Sequence, residues 1–182
     1  MATNRARGVM VIMTVVAVLG LAAPAAAQSS NDLATPRVGG ALTFADGGGK
    51  GVTGGVVYPL KSYGEFRSLG LVVAGQFLSF DGYGQLSFGG GVRWTRLLEN
   101  VTALRKFRIY GQGVYGFSRV LDDDFSSNDR GFTVGGGVGF GLTDRVDAFG
   151  QVNIARISSP EFDYSYSGYV ILLGVSVPFG AQ

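Results

Sequence analysis

The sequence predicts an all-β chain, a single eight-stranded antiparallel up-and-down transmembrane β-barrel preceded by a signal peptide. Three observations predict it. Apolar residues alternate with small or polar ones in eight successive segments, the period of a strand whose side chains point to opposite faces. No run of 18 or more apolar residues occurs beyond residue 27, so a spanning helix is excluded. Glycine is abundant and charge scarce: 31 of 182 residues are Gly and 15% are Asp, Glu, Lys or Arg, against about 7% and about 25% in ordinary globular proteins.

Residues 1–27 form the targeting segment. Met1 to Gly8 carries Arg5 and Arg7 and no acid, and Val9 to Leu21 is almost wholly apolar. Ala22-Ala23-Pro24-Ala25-Ala26-Ala27 follows, with Ala25 and Ala27 in the A-x-A positions that a signal peptidase accepts. The apolar run is shorter than the roughly 20 residues a spanning helix needs. Cleavage after Ala27 leaves a mature chain starting at Gln28, with a short tail over 28–35, the barrel over 36–179 and a C-terminal tail over 180–182. Arg5 and Arg7 leave with the signal, so 15 basic residues become 13, equal to the 13 acidic ones. A neutral chain does not suggest nucleic acid. No cysteine is present to form disulfides after export, and no histidine to serve as general base or metal ligand.

The strands follow in order. Arg37 to Ala45 presents Val38, Leu42 and Phe44 on one face, and Val52 to Leu60 presents Val52, Val56, Tyr58 and Leu60. Leu69 to Phe77 offers Leu69, Leu71, Val73 and Phe77; Gly84 to Arg96 offers Leu86, Phe88, Val92 and Trp94. Lys106 to Phe117 gives Phe107, Ile109, Tyr115 and Phe117. Gly131 to Leu142 is the cleanest, with Phe132, Val134, Val138, Phe140 and Leu142 set against Gly or Thr. Val146 to Arg156 gives Val146, Ala148, Val152 and Ile154, and Gly168 to Phe179 gives Tyr169, Ile171, Leu173, Val175, Val177 and Phe179. With the first strand rising from the periplasmic side, Leu142 to Arg145 is a tight inner turn and Leu97 to Arg105 a longer one. Asp46 to Lys50 is a hairpin tip, and Ser118 to Arg130 and Ile157 to Ser167 are the longer outer loops. Short inner turns and longer outer loops suit a membrane barrel.

The polar face decides which side is wet. It consists mostly of Gly with Thr43, Thr53, Gln76, Gln85, Ser87, Gln112, Thr133, Gln151, Asn153 and Ser176, and its charges are Arg37, Arg93, Lys106, Arg108 and Asp147. A solvated surface carries about 25–35% charged residues. A face so poor in charge is a narrow interior, and the apolar face looks at lipid. Aromatics gather at both ends of the apolar face, Tyr58, Trp94, Phe107, Phe140 and Phe179 at one and Phe44, Phe77, Tyr115, Phe117, Phe132 and Tyr169 at the other, as two interfacial belts would.

The signal segment, the eight short strands and the closing run Tyr169 to Phe179 resemble the OmpA/OmpX-type small outer-membrane β-barrel family, over about Pro36 to Phe179. Gly174, Val177 and Phe179 match that family's terminal assembly signal; Leu172 stands where a polar residue is usual, and Gly180 to Gln182 extends past the aromatic. The resemblance implies a bacterial outer-membrane location, contact with membrane lipid and lipopolysaccharide, and insertion by the barrel assembly machinery. No peptidoglycan-binding domain follows, so wall anchoring is not carried over.

Chemical constellations are sparse. Gly47-Gly48-Gly49-Lys50 is followed by Gly51, not the Ser or Thr of a phosphate loop, and Gly135 to Gly141 lies in a strand rather than at a helix N-terminus. A packing role suits the second track: Phe149 and Tyr110 are expected to point inward over the Gly139 region, aromatic rings resting on glycine. Arg37, Arg93, Arg108 and Asp147 are expected near the periplasmic half, as an internal ion-pair network or, in a sharper reading, a constriction. Asp122-Asp123-Asp124 with Asp129 offers oxygen ligands to a divalent cation but lacks calcium-loop spacing, and reads first as a solvated loop tip. No catalytic, cofactor or metal residues are assigned. The expected function is therefore non-enzymatic: a monomeric barrel with a structural or surface-interaction role and a largely plugged lumen. The alternatives are a narrow channel for small solutes and a soluble exported ligand-binding barrel.

Overall fold

The computed structural model describes residues 33–98, 107–121, 127–143, 145–159 and 164–179. Eight strands follow one another: β1 Arg37–Ala45, β2 Lys50–Ser62, β3 Arg67–Ser79, β4 Gly84–Leu97, β5 Phe107–Leu121, β6 Asn128–Gly141, β7 Asp147–Ser159 and β8 Tyr164–Pro178. Each pairs antiparallel with the next, and β1 pairs with β8 to close the barrel. Closure leaves no unpaired sheet edge, the condition for a strand-built wall in lipid.

Strand β1 has the bounds expected from its alternation, whereas β2 to β8 run longer. The long loops expected over Ser118 to Arg130 and Ile157 to Ser167 are mostly strand: Ser118 pairs with Asp129, Arg119 with Asn128, Ile157 with Tyr166 and Ser159 with Tyr164. Asp129, expected on a solvated loop tip, is instead buried, because the continued β6 alternation turns it inward. Backbone pairing needs no apolar side chain, so hairpins continue past the point where alternation fades. At 13 to 15 residues these strands exceed the 9–11 that cross a bilayer. Pro59 sits where the β2–β3 register shifts, between Pro59 and Lys61, and β1 has already ended with Arg37 against Val57, so no strand asks for the missing N–H on that side.

The two faces are inverted relative to a water-soluble protein. Ile154 is 66% exposed, Val73 64% and Phe117 62%, while Thr43 is 0% and Asp147 1% exposed. Tyr58, Trp94 and Phe140 lie exposed near the end that carries residues 36 and 179; Phe44, Tyr115, Phe132 and Tyr169 lie exposed toward the far end. Rings of Phe107 and Phe140 pack at 4.7 Å on paired positions. Leu33 and Thr35, expected in a plain tail, are buried and line the lumen at the terminal end. Phe179 donates its N–H to the Pro36 carbonyl at 2.9 Å beside them. The signal segment and its cleavage site, Lys106, most of the Leu97 to Arg105 connection and the Asp122 to Asp124 run lie outside the described residues.

Candidate functional site

The lumen is where the polar side chains converge, because alternation sends every second residue of each strand inward. Four hydrogen-bonded groups are prominent there among the described residues. Toward the far end, Gln76 donates to Thr53 at 3.0 Å and Thr53 meets Thr43 at 2.7 Å, linking β3, β2 and β1. Gln85 donates to Ser118 at 2.7 Å, and Ser87 donates to the same hydroxyl at 3.1 Å. Toward the terminal end, Asp147 of β7 binds Arg37 of β1 and, at 2.8 Å, Arg108 of β5. Both guanidiniums use one carboxylate oxygen of Asp147.

Between these groups Arg93 crosses the lumen. It leaves β4, donates from Nε and Nη2 to the Gln112 amide oxygen at 2.9 and 2.6 Å, and reaches Gln151 on β7 at 3.4 Å. Gln151 in turn donates to Asn153 at 2.8 Å. The Tyr110 ring supports the guanidinium from below at 4.3 Å, a cation–π contact. The expectation that Arg37, Arg93, Arg108 and Asp147 share one half of the interior is met, with Asp147 joining two of the three arginines.

The glycine track on β6 receives side chains differently from the sequence expectation. Phe149 does pair with Gly139, and both point inward. But Tyr110 pairs with Gly137, and Arg108 with Gly139. A Cβ on Gly137 would lie 2.6 Å from the Tyr110 hydroxyl, and one on Gly139 would lie 2.9 Å from Cγ of Arg108. Gly139 thus makes room for an arginine stem, and Gly137 for the Gly150 backbone carbonyl and the tyrosine. Phe149 turns the other way, packing with Ala41, Val170 and Leu172 and lying 3.5 Å from a Cβ built on Gly39. A turn placed by sequence fixes one hairpin register, whereas the β5–β6 register passes through a loop whose length cannot be counted in paired residues.

A cavity of about 520 Å³ remains inside, walled from Leu33 and Thr35 at one end to Phe80, Tyr83 and Tyr166 at the other. Alternation did not reveal its apolar wall, formed by Val72, Leu78, Val170 and Leu172. The signal was present: Leu71-Val72-Val73 and Val170-Ile171-Leu172-Leu173 are unbroken apolar runs, which place apolar side chains on both faces. Leu172, at the position where the resembled family has a polar residue, is buried in this wall. The lumen offers amides, hydroxyls, cationic charge and an apolar panel.

No family model matches the chain, and no curated protein matches it. Solved structures do. Neisserial surface protein A (NspA) is similar with a TM-score of 0.52 at 16% identity, over 79% of this chain and 96% of that one. The outer membrane enzyme PagL aligns with a TM-score of 0.52 at 11% identity, over 79% and 99%. Ail, the attachment invasion locus protein of Yersinia pestis, aligns with a TM-score of 0.50 at 12% identity, over 80% and 97%. At such identities the likeness is one of fold.

Proposed function

We propose that this chain is a bacterial outer-membrane protein of the OmpA/OmpX-type kind, exported under a cleaved signal peptide, with a non-enzymatic structural or surface-interaction role. The inverted burial carries this reading. A wall with Val73 and Ile154 turned outward and Asp147 turned inward is stable only where hydrocarbon bathes the outside. Contact with lipopolysaccharide is supported by three exposed arginines at the far end: Arg130 and Arg156 pair directly with Phe117 and Phe132, and Arg119 lies one inward-facing residue past Phe117 on β5. Cationic side chains at the level of an aromatic belt and just past it suit the phosphates of an outer leaflet. In this reading the barrel is monomeric and reaches the membrane through the barrel assembly machinery, and Arg93 with its amide partners bars the lumen. Heat-modifiable gel mobility on an outer-membrane fraction tests it: the folded barrel should migrate apart from the boiled one. Recovery as a soluble periplasmic monomer would overturn it.

A second reading, a narrow channel for small solutes, is favoured by the cavity lining that extends from Leu33 to Tyr166. Planar-bilayer recordings separate the two. Steady open currents that rise in Arg93→Ala support the channel, and silence supports the barred lumen.

A further inference from the structure

We propose that the lumen is a binding site for a small amphipathic carboxylate, its head on Arg93 and its apolar body against the β8 wall. The first observation is unbalanced charge. In the terminal half of the interior, among the described residues, Arg37, Arg93 and Arg108 face the single carboxylate of Asp147. Arg37 and Arg108 share that carboxylate, and Arg93 has none. The other inward acid, Asp129, is bound by Ser127 at 3.2 Å and pairs with Ser118 on β5. That is six residues beyond Gln112, the partner of Arg93, or about 20 Å along the strand. It cannot neutralise Arg93.

The second observation is an unused donor pair. Arg93 spends Nε and Nη2 on Gln112 and Gln151, while Nη1 has no hydrogen-bond acceptor among the described residues. Arg93 lines the cavity. A cation held by neutral amides and one aromatic face, with two N–H groups left over, is built to accept an anion.

The third observation is what stands beside it. Gln151, where the Arg93 side chain ends its crossing, pairs directly with Leu172 on β8. Leu172 belongs to the apolar cluster of Ala41, Val170 and Phe149. Cationic donors and an apolar panel therefore meet at one point of the lumen, which favours a ligand carrying both characters. An eight-stranded barrel has room for one small ligand, and about 520 Å³ falls within the range of small-molecule sites. Asp46 and Asp81 at the far rim slow the entry of an anion, as rim charges do, without setting the affinity inside.

The test uses the purified full-length barrel, folded in an uncharged detergent below the level at which the probes enter micelles. Affinities for acetate, butyrate, hexanoate, benzoate, hexanol and inorganic phosphate are measured by calorimetry. Hexanoate and benzoate should bind, with affinity rising about fourfold for each methylene buried along the fatty-acid series. Chloride should compete with them. Arg93→Gln should weaken hexanoate at least about tenfold, the worth of a charge-assisted hydrogen bond. Leu172→Gln should weaken hexanoate while leaving acetate unchanged, so the claim stands even if Arg93→Gln does not fold. Absence of hexanoate binding, equal affinity for acetate or phosphate, equal affinity for hexanol, or insensitivity to chloride would each overturn the proposal. None of these outcomes bears on whether the barrel resides in a membrane, which heat-modifiable mobility reads separately.

Discussion

Arg108 on β5 reaches Asp147 on β7 at 2.8 Å by passing over Gly139 of the intervening strand. The pair exists because β6 supplies no side chain at that level. Asp147 is 1% exposed and also binds Arg37, so its loss leaves two guanidiniums together in a confined space. Asp147→Asn is expected to destabilise the barrel by about 3 kcal/mol, as when one member of a buried pair is removed. Denaturant unfolding in lipid vesicles measures it. A loss under about 1 kcal/mol, the worth of an exposed pair, would show that the lumen is wet enough to solvate the arginines.

Gly137 and Gly139 should fail for different reasons. Gly137→Ala meets the Gly150 backbone carbonyl first and then the Tyr110 ring, whose Cζ would lie 2.7 Å from the new methyl, so Tyr110→Ala should relieve only the side-chain share of the clash. Gly139→Leu displaces the Arg108 stem and should be indifferent to Tyr110→Ala. Folding yields of the four variants measure the coupling. Rescue of Gly139→Leu by the tyrosine truncation would mean that the β5–β6 register is shifted by two residues.

The lipid face is tested at Val138, which is 54% exposed on β6. Val138→Arg is expected to cost about 2–4 kcal/mol in a bilayer, whereas Thr133→Ser on the inward face should be mild. Unfolding titrations of both variants in vesicles give the comparison. Indifference to Val138→Arg would falsify the assignment of faces.

Arg119, Arg130 and Arg156 provide the test of surface recognition. Replacing all three with Gln should lower affinity for lipopolysaccharide-containing vesicles relative to neutral ones. The difference should shrink at high salt, because exposed charge is screened. Equal affinity of the variant and the parent for both vesicles would remove lipopolysaccharide contact from the proposed role.

Much of the fold was legible because a strand has a period of two. Once Phe132, Val134, Val138 and Phe140 were placed on one face, Thr133 and the glycines between them had to take the other. The same logic placed Arg37, Arg93, Arg108 and Asp147 inside. It failed at Val72 and Leu172, where apolar runs occupy both faces and periodicity has no contrast to report.

The sequence by itself determined the strand count, the inverted faces and the inward side of Arg37, Arg93, Arg108 and Asp147, because these follow from local alternation and from turns. Only the tertiary structure decided who meets whom across the lumen. The crossing of Arg93 to Gln151, the stem of Arg108 over Gly139 and the apolar panel around Leu172 depend on strand tilt and on register carried around a closed sheet. Those are properties of the ring as a whole. No segment of chain, taken alone, encodes the distance to the opposite wall.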